Sequence, residues 1–185
     1  PVYTVSIIPT GNGAAGYTMP LPEKDEMFIT KGQLLQDIMV SLGGRIAEEI
    51  IFGDITTGAS SDIKKATSAA RDMVTRYGMS ENIGVINYNS DDDEVFIGRD
   101  LAHAKNHSEL ISGEIDREVK AIIDDCYKKA KDIILAHMDV LHHCAELLIV
   151  KEKIGREEFE ALFDQKENDP ESFFENHEVG ENAQK

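Results

Sequence analysis

Asp62 is the residue of this chain best placed to do chemistry. It follows Thr56-Thr57-Gly58-Ala59-Ser60-Ser61 and enters the first turn of a predicted helix. Two roles suit a short carboxylate there. It can cap the helix and meet the positive end of the helix dipole. Alternatively, it can be one anionic ligand of a catalytic cation, delivered by a turn whose Gly58 permits a sharp approach. Spacing alone favours the cap. The second constellation, Glu48-Glu49, lies on the preceding predicted helix. At about 100° per residue, Leu35, Leu42 and Glu49 share one seam, while Glu48 falls on the flank with Ser41 and Arg45. A carboxylate in an apolar seam is costly unless paired. One solution is an ion pair with Arg45 or a lysine; the other is a carboxylate that orients a metal-bound imidazole through its free N–H.

The remaining candidates are weaker. His103 and His107 have i,i+4 spacing, and His142-His143-Cys144 forms a soft-donor cluster. Neither comes with a carboxylate motif, and adjacent histidines on a helix point about 100° apart, so both read as surface or packing residues. Cys126 replaces an aliphatic in an apolar stripe and reads as core. Val5, Ser6 and Ile7, in the run VYTVSII, form a candidate edge strand on which an extended peptide could be held by backbone hydrogen bonds; the plain alternative is a structural hairpin. The chain contains no G-x-x-x-x-G-K-[ST] loop and no H-E-x-x-H pair. It therefore has neither that nucleotide cradle nor that two-histidine zinc helix with its general base.

These groups need elements to hold them. Val2 to Ile8 and Tyr17 to Met19 read as two short strands around a loop carrying Gly11, Gly13 and Gly16. Thr30-x-x-Gln33 has capping-box spacing, and Leu34, Leu35, Ile38, Met39, Leu42, Ile46 and Ile50 follow at helical steps until Gly53. A second helix starts at Ser60 or Ser61 and stops at Gly78. The chain from Ile83 to Gly98 reads as extended, with a solvated turn at Asp91-Asp92-Asp93-Glu94. A third helix, from Ser108 to His137, spans about 45 Å and calls for a partner along its length. Asp139 is placed to cap a shorter helix through Val150, and 155–163 reads as a last one. From Lys166 onward the chain is polar, acidic and aperiodic, the composition of a disordered tail.

The formal net charge is -16, with 19 Lys+Arg against 35 Asp+Glu. Such a surface repels phosphate backbones and anionic lipid, which argues against nucleic-acid binding and peripheral membrane attachment. The two cysteines lie within helical patterns, as in a reducing compartment. No apolar run approaches the roughly 20 residues a bilayer span needs.

Several segments, taken in order, carry a resemblance. They are VSIIP, GGRIAEEIIFG, TTGASSDIKKAT, MVTRYGMSENIG, EVFIGRD, IDREVKAII and CYKKAKDIIL, spread from Val2 to Phe163. The chain resembles the peptidase half of the FtsH-type proteases, membrane-anchored ATP-driven zinc metalloproteases of bacteria, mitochondria and plastids. The resemblance implies a mainly α fold with small β elements: a β-hairpin edge and a long antiparallel helical pack. It assigns residues 1–165 to a peptidase domain truncated on its N-terminal side, and 166–185 to the acidic tail. It makes Asp62 a zinc ligand and Glu48 the carboxylate behind a ligating imidazole, with Val5, Ser6 and Ile7 as the substrate strand. It further implies ATP and magnesium on an ATPase module outside this chain and assembly as a homohexamer. Unfolded proteins would be the substrates, and a membrane anchor outside this chain would leave this domain in the cytoplasm or its organellar equivalent. Ser61 stands where the family more often has Asn. The lack of H-E-x-x-H leaves no catalytic residue in this chain and predicts an inactive fragment. Two rival readings are a pseudo-protease with a chaperone or structural role, and an acidic helical interaction module.

Overall fold

A computed structural model describes residues 1–9, 16–21, 27–89 and 108–164. Their elements run β1 (Val2–Ser6), β2 (Tyr17–Pro20), α1 (Lys31–Phe52), α2 (Ser60–Thr75), α3 (Glu109–Ala136), α4 (Met138–Lys151), β3 (Lys153–Gly155) and α5 (Arg156–Asp164). The architecture is mainly helical with a small sheet. The chain forms two compact units, one of Glu26–Ala136 and one of Pro1–Asp25 with His137–Lys185.

The first of these is helical. α1 starts where the capping box requires: Gln33 N–H donates to Thr30 Oγ1 at 3.3 Å and Thr30 N–H to Gln33 Oε1 at 2.6 Å. It stops at Gly53, whose φ of 64° turns the chain into the left-handed region where only a residue without Cβ is unstrained. α1 and α2 pack antiparallel. Glu48 near the end of α1 bonds Thr56 just before α2, while Lys31 at the start of α1 donates to the Met79 carbonyl just after it. The core between them joins Ile38, Leu42 and Ile46 of α1 to Ala66, Ala70, Met73 and Val74 of α2, and α3 adds Ile115, Val119, Cys126 and Ala130. Alanines at 66 and 70 let the helices approach closely. Cys126 is core, as expected, and its Sγ faces the Leu35 carbonyl at 3.7 Å.

α2 ends at Thr75, three residues before the expected stop at Gly78. Gly78 has φ +59° and instead reverses the chain after the helix, with Met79 N–H donating to the Met73 carbonyl at 2.8 Å. The extended run expected from Ile83 does not form a strand in its described part. Tyr88 and Asn89 N–H groups return to the Thr75 carbonyl at 2.7 and 3.2 Å, so this segment packs as a loop on the end of α2. The acidic turn at 91–94, together with His103 and His107, lies outside the described residues.

The second unit holds a three-stranded sheet in the order β2-β1-β3, which corrects the edge assignment of the first strand. β1 is the central strand: Val5 pairs with Thr18 on one side and Ile154 on the other, and Ser6 with Tyr17 and Lys153. Ile7 N–H extends this ladder to the Glu152 carbonyl at 2.9 Å. The backbone of Val5, Ser6 and Ile7 is therefore engaged within the protein, and the open edges of this sheet belong to β2 and β3. Buried Thr4 closes its own hydroxyl onto the Ile154 carbonyl at 2.9 Å, as a buried polar group must. α4 begins at Met138, with His137 at the cap position. Asp139 thus sits inside the first turn rather than capping it, where a carboxylate still meets the helix dipole favourably. In α5, Phe159 and Phe163 meet edge to face at 5.6 Å. Residues 165–185, including the acidic tail, lie outside the described residues.

Candidate functional site

The link between α1 and α2 is only seven residues, 53–59, and both carboxylate candidates lie on its flanks. Gly53 turns the chain out of α1, and Ile55 N–H caps the Asp54 side chain at 2.7 Å. Glu48 then reaches across from α1. Its Oε2 accepts from Thr56 N–H at 3.1 Å and its Oε1 from the Thr56 hydroxyl at 2.6 Å. Thr56 Oγ1 in turn accepts from Gly58 N–H at 3.1 Å, and Ser60 N–H donates to the Thr57 carbonyl at 3.1 Å. Glu48 therefore organises the turn that leads into α2. The hydrogen bonds from the Thr56 hydroxyl and then its amide hold the Glu48 carboxyl below its ordinary value. Arg45 contributes less. Its Nη1 stands 3.9 Å from Glu48 Oε2 and, although buried, forms no hydrogen bond among the described residues.

Asp62 comes next, in the first turn of α2. Its side chain keeps 47% of its surface, and among the described residues its close ion pair is with Lys65, 3.2 Å away and itself 72% exposed. Such a surface pair is weak and easily exchanged for another cation. Ala59, at the N-cap position of α2, makes no side-chain cap bond, and Asp62 is the acidic residue of the first turn. A cleft of about 550 Å³ runs along α2 with Leu34 and Ala69 as apolar walls and Ser61, Lys64, Lys65, Asp72 and Tyr77 around them; Asp62 does not line it.

Glu49 faces the other way. Lys131 Nζ donates to its Oε1 at 2.8 Å, and the Tyr127 hydroxyl donates to its Oε2. Lys131 first and Tyr127 second hold the Glu49 carboxyl below its ordinary value, while donation to Glu49 holds the Tyr127 phenol above its own. The need of the seam carboxylate for a partner is met by a lysine of α3. This separates the two neighbouring glutamates: Glu49 ties α1 to α3, and Glu48 serves the Asp62 turn.

Val5, Ser6 and Ile7 belong to the other compact unit. On α4, His142 is exposed, and His143 and Cys144 are half-buried. Among the described residues no three His, Cys, Asp or Glu side chains converge to hold a metal ion. Asp62 can supply one carboxylate oxygen to a cation; further ligands would come from outside these residues. Thr56, Tyr127 and Lys131 did not stand out in the sequence. The one signal for the last two was the unpaired carboxylate expected in the α1 seam. No single helix among the described residues is long and apolar enough to cross a membrane.

Comparison with known proteins gives the family. The sequence profile of Peptidase family M41 matches residues 1–162. An ATP-dependent zinc metalloprotease FtsH of Caldicellulosiruptor bescii is 51% identical over 162 residues, which cover 88% of this chain and 26% of the relative. ATP-dependent zinc metalloprotease FtsH 1 of a Thermoanaerobacter species is 48% identical over 163 residues, with the same coverage of each. The ATP-dependent zinc metalloprotease FtsH of Thermotoga maritima is 43% identical over 162 residues, 88% of this chain and 27% of that protein. The chain thus spans about a quarter of the length of these curated relatives.

Proposed function

The chain belongs to peptidase family M41, and on that premise we propose that it forms the peptidase part of an ATP-dependent zinc metalloendopeptidase acting on unfolded membrane and soluble proteins. The observation that carries the reading is the Asp62 turn. A half-exposed carboxylate stands in the first turn of α2, and a second carboxylate, Glu48, grips the turn in front of it through both the amide and the hydroxyl of Thr56. This is the support a metal ligand needs, since ligand geometry is only as good as the groups that hold it.

In this reading Asp62 is one of three protein ligands of zinc, and Glu48 positions the ligand turn and faces a ligating imidazole. The other ligands and the general base lie on an H-E-x-x-H helix that this chain does not contain. Zinc supplies Lewis-acid activation of water and of the scissile carbonyl. The role of these residues is to hold one anionic ligand at a fixed place and to keep its loop from relaxing. By itself the chain offers neither the base nor the two imidazoles and has no proteolytic activity. ATP and magnesium act on a separate module, the assembly is a homohexamer, and the membrane anchor lies outside this chain. Residues 1–165 serve as the peptidase domain, in the cytoplasm or its organellar equivalent, and 166–185 as a dispensable acidic tail. A substrate-strand role for Val5, Ser6 and Ile7 requires one of the neighbours of β1 to give way.

The test is Asp62→Asn in the full-length protein, read by zinc content, casein degradation and ATP hydrolysis. The amide keeps the size and loses the charge, so zinc and proteolysis should be lost while ATP turnover persists. Glu48→Gln should be milder, within roughly 10–100-fold. Stoichiometric zinc and near-normal degradation in the Asp62→Asn protein would make Asp62 a helix-start carboxylate only.

A further inference from the structure

The last fully buried residue of α1 is Ile46. Beyond it Ala47 to Ile50 are half-buried, and Ile51 and Phe52 are exposed. α1 also carries no basic residue in its last turn to offset the negative end of its dipole. A helix end with little buried surface and no charge complement opens at low cost. Yet Glu48 sits on this end, and the Asp62 turn hangs on Glu48. Something must keep the end of α1 closed.

The groups in place to do so come from α3. Lys131 Nζ reaches Glu49 Oε1 at 2.8 Å, the Tyr127 hydroxyl reaches Oε2, and both side chains project from one face of α3 at i,i+4 spacing. Lys131 is 35% exposed and Glu49 40%, so the pair is partly sheltered rather than fully solvated. Lys131 also brings to the end of α1 the positive charge that α1 lacks. Glu49 N–H and C=O are part of the same turn as Glu48, and Gly53 N–H closes that turn on the Glu49 carbonyl at 3.1 Å. Pinning Glu49 thus fixes the direction in which Glu48 points.

We propose that Tyr127 and Lys131 are positioning residues for the Asp62 turn, acting through Glu49 and the last turn of α1 to keep Glu48 on Thr56. The proposal deepens the zinc-ligand reading of Asp62 and rests on it for its functional meaning. The linkage itself does not. Neither residue touches the ligand turn, and their effect travels from Lys131 and Tyr127 to Glu49, through the backbone of the last turn of α1 to Glu48, and from Glu48 to Thr56.

The experiment has two arms. In this chain, amide exchange at Thr56 and Gly58 is followed by NMR for wild type, Tyr127→Phe, Lys131→Met and Lys128→Met. The last removes a lysine of the same helix that, among the described residues, pairs within α3, with Asp132 at 3.0 Å. Tyr127→Phe and Lys131→Met should speed exchange at both amides roughly three- to tenfold, the range one weakened hydrogen bond supports. Lys128→Met should match wild type, and Lys131→Arg should restore most of the protection. Thermal midpoints taken alongside exclude global loosening. In the full-length protein, the zinc dissociation constant is measured for the same variants and for Asp62→Asn. Weaker zinc binding in Tyr127→Phe and Lys131→Met, with Lys128→Met unchanged, supports the proposal. Wild-type exchange at Thr56 and Gly58 overturns the linkage, whatever zinc does. Faster exchange with unaltered zinc affinity, while Asp62→Asn loses zinc, overturns the positioning role and leaves the ligand reading standing. Zinc retained by Asp62→Asn sinks the ligand reading instead, and the proposal with it, while the exchange data still decide whether α3 holds the turn.

Discussion

Gly53 and Gly78 form a matched pair of probes. Both have positive φ, 64° and 59°, so an alanine at either adopts the left-handed region at a cost of about 1–2 kcal/mol. Part of that is returned because alanine restricts the unfolded chain, by about 0.4–1 kcal/mol. Their surroundings differ. A Cβ at Gly53 meets nothing within 4 Å, whereas one at Gly78 lies 3.0 Å from the Val85 Cα and 3.5 Å from the Gly84 carbonyl oxygen. That loop cannot simply move away. Gly84 N–H is held to the Ser80 carbonyl at 3.0 Å, and Tyr88 and Asn89 are held to Thr75. The forced shift adds about 1–3 kcal/mol. Gly53→Ala should therefore cost about 1 kcal/mol and Gly78→Ala about 2–4 kcal/mol, with Gly53→Asn nearly silent because asparagine tolerates this region. The assay is urea unfolding followed by far-ultraviolet circular dichroism, comparing midpoints at unchanged slope. In thermal scans each kcal/mol is worth about 2–4 °C for a chain of this size. Equal losses at the two glycines would refute the steric part of the reasoning. A Gly78→Ala protein as stable as wild type would refute the whole of it.

Further outcomes are expected at Ile46, at Glu118 and at the two cysteines. Ile46 is fully buried at the meeting of the helices, so Ile46→Ala should lose about 2–5 kcal/mol, visible as a lower urea midpoint. Glu118 is held below its ordinary value by the Ser80 hydroxyl and then the Asn82 amide. Its stabilisation is full above the unfolded carboxylate value and is lost as pH falls through the folded one. Glu118→Gln should therefore weaken the protein at neutral pH and flatten the acid limb of its stability profile; an unchanged limb would contradict the linkage. Burial pushes both thiols up, Cys126 with further help from the Asp125 charge. At pH 8 a thiol reagent should leave Cys126 intact and label half-buried Cys144 slowly, with both reacting in urea; rapid native labelling of Cys126 would show that the core opens.

The long helices were legible because their information is local and repeated. Leu34 to Ile50 mark one face of α1 several times over, and Thr30, Gln33 and Gly53 mark its ends with chemistry that needs no tertiary partner. What was not legible depends on partners distant in sequence. β3 has three residues, too few to show a period, and it alone turns β1 from an edge into a centre. The extended character of 83–89 lost to two hydrogen bonds on the Thr75 carbonyl. At the candidate site, the helical wheel already separated Glu48 from Glu49 and showed that Glu49 needed a partner, with a cation as one candidate. That the cation is Lys131, and that Glu48 grips Thr56, depends on how α3 and the short link settle in space.

The sheet carries a consequence for the birth of the molecule on the ribosome. β1 emerges with β2 soon after it to cover one side, but the partner for its other side is Lys153–Gly155. At about 5–20 residues per second, the nascent chain waits on the order of 10–30 s before that strand exists. Throughout that interval β1 presents an unpaired row of amides and carbonyls beside Val5 and Ile7, the kind of surface that recruits stray strands. Its alternating buried hydroxyls, Thr4 and Ser6, make it a poor match for a purely apolar intruder. The closing bond from Thr4 to the Ile154 carbonyl, made across 150 positions of sequence, can form only once that whole interval has been made. Translation speed between the codons for β1 and those for β3 should thus influence the yield of native protein.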